Sequence, residues 1–170
     1  SDGARATSGV RESAAQGFAL EARQARLRAL AEGAAFKPPR PEGDDERRIL
    51  EEERRLYETK LSELNTLVSI SRQQLMQSQQ ELAQAQAKRS AAIRGLELAQ
   101  QELTQTRPLL ATGAVSQVEV LRLERDVTRN KGDAEQTLAQ IARVHAAIGE
   151  ASRKIQETEL SFRNDARKDM

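Results

Sequence analysis

A short helix-breaking segment between two long heptad-patterned runs is the strongest constraint on the fold of this chain. It spans residues 107–116 and reads RPLLATGAVS. Pro108 lacks a backbone donor and resists a helix interior, whereas Gly113 suits the left-handed conformation that often ends a helix. Ser116 can cap a following helix, with Glu119 completing a capping box. A helix end followed at once by a helix start predicts the tip of an antiparallel helical hairpin, and the tip of a long hairpin is the best candidate for a functional site.

Both runs that flank this segment repeat their core residues every seven positions. The ladder before the turn is Leu61, Val68, Leu75, Leu82, Arg89, Leu96, Leu103 and Leu110. The ladder after it is Val120, Val127, Ala134, Ile141, Ile148, Ile155 and Phe162. A seven-residue period sustained over this length predicts a left-handed coiled coil.

A turn centred near Thr112 and Gly113 predicts which residues of the two ladders face each other. The expected pairs are Val127–Ala99, Ala134–Ala92, Ile141–Ala85, Ile148–Ser78 and Ile155–Ser71. Large side chains thus meet small ones, as close packing of two helices requires. The sequence therefore predicts an all-α fold, a long antiparallel two-helix coiled-coil hairpin preceded by a shorter third helix.

The remaining element boundaries follow from prolines, glycines and caps. The predicted single helical domain has a first helix over 1–33, a Pro-rich connector over 34–43, an ascending helix over 44–111, a tip turn over 112–115 and a descending helix over 116–170. Three of the four prolines lie in the connector, and the ends of the chain suggest a fragment of a larger protein.

The predicted pairing leaves the first helix without a partner in the hairpin. Residue 170, the last of the descending helix, should face about residue 55 of the ascending helix, so no residues of the descending helix remain to face the first helix. The first helix is therefore expected to fold sideways, to contact another chain, or to remain loosely packed.

Composition argues against catalysis and nucleic-acid binding. The 27 basic and 26 acidic residues are interspersed, only 2% of residues are aromatic, and cysteine is absent. This pattern lacks a basic patch with stacking aromatics and excludes thiolate metal sites. No nucleophile arrangement, phosphate loop or metal-ligand cluster is visible, so we expect no enzyme activity and no cofactor.

Two polar residues near the ladders have alternative interpretations. His145, beside Ile141 and Ile148, is interpreted as an ordinary seam histidine, because a straight coiled coil offers no convergent partners for a catalytic or metal role. Arg89 interrupts the leucine ladder. It either snorkels towards water or acts as a polar device that fixes the helix register.

The segment Thr106–Val127, TRPLLATGAVSQVEVLRLERDV, resembles the hairpin tip of periplasmic adaptor (membrane fusion) proteins, most nearly the HlyD-type adaptors of type I secretion systems. Residues 8–33 are similar to the first helix of that group. The resemblance implies a periplasmic subunit, anchored in the bacterial inner membrane by parts outside this sequence. In that family the adaptor bridges an inner-membrane ABC transporter and a TolC-like outer-membrane channel for protein export. The hairpins assemble as a hexamer, and their tips meet the channel.

The resemblance also implies a set of partner-binding tip residues. They are Gln105, Arg107, Leu109, Leu110, Gly113, Val115 and Ser116. Adaptor tips share an Arg, Leu and Ser pattern, of which Leu109 and Ser116 match the last two positions. Gln105 occupies the first position, so Arg107 either supplies the basic group from the neighbouring turn or points to solvent. The two leucines are equally suited to packing the turn and to contacting a partner.

Two other functions fit the same pattern. A structural or signalling coiled-coil hairpin, such as that of a receptor, would carry its functional residues along the helix faces. An adaptor of a multidrug efflux pump would share the hairpin but export small molecules.

Overall fold

A computed structural model describes residues 2–170 as three α-helices joined by one connector and one tight turn. Helix α1 spans Asp2–Glu32, α2 spans Asp44–Thr106 and α3 spans Gln117–Asp169, with a short 3₁₀ helix at Arg107–Leu110. The chain forms two compact units. The first unit contains the described residues through Arg72 together with Arg153–Met170, and the second contains Gln73–Ser152. The predicted all-α fold with a long helix pair is confirmed.

In the second unit, α2 and α3 pack along the predicted heptad columns. In α2 the alanines predicted to face the α3 ladder are buried, and the ladder residues from 75 to 103 are half-buried. In α3 most of the buried residues lie three positions after the ladder residues, which are themselves mostly half-buried. The buried residues of this seam are Ala85, Ala92, Ala99, Val120, Leu123, Thr137, Val144 and Ala151. Alternation of large and small side chains therefore fills the seam without a wide apolar face, which agrees with the strongly polar composition of the chain.

A close approach between Gly95 of α2 and Asn130 of α3 shows how these two helices are aligned in the second unit. A Cβ atom added to Gly95 would lie 2.6 Å from Oδ1 of Asn130. Positions 95 and 130 therefore face each other closely. A turn centred near Thr112 and Gly113 predicts this pairing to within one residue, so the register predicted from the two ladders is confirmed here.

The interpretation of His145 as a seam residue is wrong. His145 is exposed, whereas its neighbour Val144 is buried in the seam. Each residue rotates the helix by about 100°, so the position following a buried column points away from the partner helix.

The α-helical geometry before the turn ends at Thr106, earlier than the predicted position 111. Pro108 cannot donate a backbone hydrogen bond, and its ring disfavours α-helical geometry at Arg107. The chain tightens instead into a 3₁₀ helix, Arg107–Leu110, with the proline in its first turn. Tertiary contacts are not needed to explain this change, because the local effect of proline is sufficient.

In the first unit, the C-terminal half of α1 packs against the other two helices. Arg26 and Glu53 form a part-buried ion pair between α1 and α2. The apolar contacts form a cluster of residues from all three helices, namely Leu30, Ala31, Ala166, Tyr57, Leu61 and Phe162. Of the three arrangements considered for the first helix, sideways packing within the same chain therefore accounts for its C-terminal half.

The connector after α1 is held against α2 by aromatic contacts. Gly33 ends α1 with a φ of 65°. Phe36 stacks on Tyr57 with ring centroids 5.4 Å apart, and the guanidinium of Arg54 lies 5.6 Å from the Phe36 ring centroid. The Tyr57 hydroxyl donates a hydrogen bond of 3.2 Å to the carbonyl of Ala34. These contacts fix the exit of α1 relative to the start of α2.

Hydrogen exchange is expected to divide α1 into two parts. Residues 2–14 are exposed, whereas Phe18, Ala22 and most residues of 27–31 are buried. Fraying segments open at almost no cost, while packed helices open with free energies of several kcal/mol. Amides of residues 22–31 should therefore exchange about a hundredfold more slowly than those of residues 4–14, as measured by mass spectrometry. The difference should not depend on protein concentration; uniform protection along α1 would contradict the packing described above.

Candidate partner-binding tip

The turn between α2 and α3 is closed by its own backbone. The amide of Gly113 donates to the carbonyl of Leu110, and the amide of Ala114 donates to that of Leu109, each at 3.2 Å. The Thr112 hydroxyl also donates to the Leu109 carbonyl at 2.9 Å. Gly113 has a φ of 77°, which strains any residue with a Cβ, although a Cβ there would meet no atom within 4 Å. The glycine is therefore required by backbone conformation and not by lack of space.

Ser116 caps α3. The amide of Glu119 donates to the Ser116 hydroxyl oxygen at 3.3 Å, and the amide of Val120 donates to the Ser116 carbonyl at 3.4 Å. The first bond satisfies an amide of the first turn that has no partner within the helix, and the second is the first regular hydrogen bond of α3. The Ser116 residue remains exposed. One side chain thus starts the helix and stays accessible to a partner.

Apolar side chains are exposed at the turn and just after it. Leu109 is 42% exposed and Leu110 is 39% exposed, whereas Val115 is half-buried. In α3, Val118 is 75% exposed and Leu121 is 47% exposed. We refer to Leu109, Leu110, Val118 and Leu121 as the tip leucine–valine set. The tip of this chain therefore presents a concentration of apolar atoms to solvent.

Val118 and Leu121 were not among the tip residues predicted from the sequence. They could have been identified from their positions relative to the α3 ladder, which begins at Val120. Residues 118 and 121 are three positions apart and so share a helix face, but neither belongs to the ladder. Apolar residues on the outward face of an otherwise amphipathic helix are candidates for partner contact.

The Arg107 side chain forms an ion pair within the chain. Its Nη2 atom lies 3.0 Å from Oε1 of Glu124, so an ion pair joins the 3₁₀ helix to α3. Both side chains remain partly exposed, and such pairs contribute little to stability. Gln105, the other candidate for the first position of the tip pattern, is exposed. The charge of Arg107 is therefore already balanced within the chain.

Two further properties of the described residues concern metal-binding clusters and membrane-spanning helices. Within residues 2–170, no group of three or more His, Asp or Glu side chains is arranged to hold a metal ion. None of the helices in the described part of the chain combines the length and hydropathy that a bilayer span requires.

These features define a class of protein, the antiparallel coiled-coil hairpin that ends in a closed and partly apolar turn. The profile of one family, described as "AprE, long alpha-helical hairpin", matches residues 6–170. The chain belongs to this family.

A solved structure supports the same fold. The soluble domain of LipC, a membrane fusion protein of a type I secretion system, matches with a TM-score of 0.79 and 16% sequence identity. The match covers 97% of this chain and 80% of the LipC chain. At this identity the likeness establishes the shared fold. No curated protein sequence matches the chain.

Proposed function

We propose that this chain is the hairpin of a periplasmic adaptor in a type I secretion system. In this role the adaptor bridges an inner-membrane ABC transporter and a TolC-like outer-membrane channel, and the tip of the hairpin docks on the channel. Support comes from membership of the AprE hairpin family over residues 6–170 and from the shared fold with LipC. The single observation that carries tip docking is the exposure of the tip leucine–valine set at and just after a closed turn.

The physical case for docking rests on preorganisation. Three hydrogen bonds close the turn, and Ser116 caps the helix that follows. Binding through a preformed turn loses little conformational entropy, so exposed apolar atoms there contribute more of their burial energy to affinity. Because Glu124 balances the charge of Arg107, the proposed contact depends chiefly on apolar atoms and the Ser116 hydroxyl.

The proposed contact set contains the seven residues predicted from sequence together with Val118 and Leu121. We further propose that the full-length adaptor is anchored in the inner membrane outside this chain, that its hairpins assemble as a hexamer, and that it performs no catalysis. These statements rest on the resemblance of the tip sequence to HlyD-type adaptors.

Site-specific photo-crosslinking tests the docking surface directly. A photoreactive amino acid at Val118, in the full-length adaptor of cells that are exporting cargo, should form an adduct with the outer-membrane channel. The same substitution at Leu138 is the control, because this residue is also in α3 and is 53% exposed, but lies far along the helix from the turn. Adducts at Leu138 but not at Val118 would refute tip docking. Adducts at Val118 only with other copies of the adaptor would instead favour a structural coiled coil.

A further inference from the structure

The apolar seam of the second unit is interrupted at Arg89. This residue is half-buried in the leucine ladder, and its Nε atom is buried with no hydrogen-bond partner among the described residues. The confirmed register places Arg89 opposite Thr137, which is only 2% exposed. The Thr137 hydroxyl donates to the carbonyls of Asp133 and Ala134 in its own helix, each at 3.0 Å. This heptad therefore places polar side chains in the seam, whereas the neighbouring heptads place mainly apolar ones there.

A second polar contact lies one heptad closer to the turn. Asn130 donates from Nδ2 to the carbonyl of Asp126 at 2.8 Å, which holds its side chain in one orientation. Its Oδ1 and Cγ atoms would lie 2.6 and 3.2 Å from a Cβ atom on Gly95. Any larger residue at position 95 would displace this amide from its present orientation. Gly95 and Asn130 thus fit each other as a matched pair across the seam.

Apolar heptads alone specify register weakly. Ladder leucines recur at 82, 96 and 103, and buried alanines recur at 85, 92 and 99, so a slip of seven residues would preserve most large-to-small contacts. The same slip would move Asn130 from Gly95 to Lys88 or Glu102, each of which carries a Cβ atom. It would also move Arg89 from Thr137 to Val144 or Asn130. The change at Gly95 raises the energy of both slipped states, and the placement of Arg89 against the apolar Val144 raises the energy of one of them further.

We propose that the Gly95–Asn130 pair forms a register key, assisted by the polar Arg89 within the leucine ladder, and that this key selects one alignment of α2 and α3 from several that the apolar heptads would accept. Buried polar residues in coiled coils specify register in this way at some cost in stability. The key keeps residues 107–116 at the turn, because a slipped alignment would require a different set of residues to reverse the chain.

Disulfide trapping tests the key in the full 170-residue chain, which contains no cysteine. The native alignment is reported by cysteines at Ala92 and Ala134, and slipped alignments by cysteines at Ala85 and Ala134 or at Ala99 and Ala134. Each pair is introduced into the unaltered chain and into a chain with Arg89→Leu and Asn130→Ala. After mild oxidation, intrachain crosslinking is quantified by gel and mass spectrometry. Helicity and the melting temperature verify that each variant is folded.

The unaltered chain should yield the native product almost exclusively. In the double variant, the ratio of slipped to native product should rise about tenfold, which corresponds to about 1.4 kcal/mol of lost discrimination. Leu82→Ala is the control, because it weakens the seam but leaves the key in place, and it should produce no such rise. An unchanged ratio in the double variant, or an equal rise with Leu82→Ala, would overturn the proposal.

Discussion

Leu109→Asp in the full-length protein is expected to reduce secretion strongly while the hairpin remains folded. Leu109 is 42% exposed and contributes a backbone carbonyl to the closed turn, which the substitution retains. A carboxylate at a docking surface would have to be desolvated, and losing a central apolar anchor costs about 2 kcal/mol or more of binding free energy. That loss weakens docking about thirtyfold. The measurement is the amount of exported cargo in the medium at equal adaptor abundance.

Two comparisons show whether this effect belongs to the tip. Leu138→Asp alters an exposed leucine away from the turn and should leave secretion nearly normal. Ser116→Arg should impair secretion, since it introduces a bulky charge at the exposed cap and removes a cap worth about 1 kcal/mol. Arg107→Ala should be milder, because it removes only a partly exposed ion pair with Glu124. Normal secretion by folded Leu109→Asp and Ser116→Arg variants would show that this segment is a turn without a docking role.

Alanine substitutions at Gly95 and Gly132 are expected to change stability in opposite directions. Both glycines lie inside long helices, where alanine is favoured by about 1 kcal/mol. A Cβ on Gly132 would meet no atom within 4 Å, so Gly132→Ala should stabilise the chain by about that amount. A Cβ on Gly95 would lie 2.6 Å from the Asn130 amide oxygen, and overpacking costs about 1–3 kcal/mol, so after the gain in helix propensity Gly95→Ala should destabilise the chain by up to about 2 kcal/mol. Urea unfolding followed by circular dichroism measures both changes.

A rescue experiment identifies the cause of the Gly95 effect. Asn130→Ala removes the atoms that the new methyl group would meet, so the Gly95→Ala, Asn130→Ala double variant should regain most of the stability lost in Gly95→Ala. In a double-mutant cycle the two substitutions should therefore couple strongly. Additive effects would mean that the close approach at Gly95 does not determine stability.

Much of the fold could be predicted because the helices are governed by local and periodic information. The seven-residue ladders identify two paired helices, and Pro108 and Gly113 locate the reversal between them. The facing pairs follow from the position of the turn, and the contact of Gly95 with Asn130 agrees with them. Individual side-chain positions were harder to predict. His145 was wrongly interpreted as a seam residue, because a position one residue from a core column differs from it by a large helical rotation.

The candidate site was predictable only in part. The turn residues were found through their resemblance to adaptor tips, and their role in docking remains a prediction. Val118 and Leu121 were not predicted, because they lie outside the heptad ladder, on the exposed face of α3. The partner of Arg107 was also not predicted. A sequence pattern does not show that a flexible side chain in the 3₁₀ helix lies within 3.0 Å of Glu124.

The sequence alone determined the helices, their heptad seam and the place where the chain reverses. The helices and the reversal depend on local backbone propensity, and the seam depends on a seven-residue repeat that spans about two helical turns. Tertiary structure decided how α1 is held, through the Arg26–Glu53 ion pair and its apolar cluster in the first unit. It also decided which glycine is needed for packing, because only the approach of Asn130 distinguishes Gly95 from Gly132. Such contacts join residues far apart in the chain, and their geometry depends on how the helices meet.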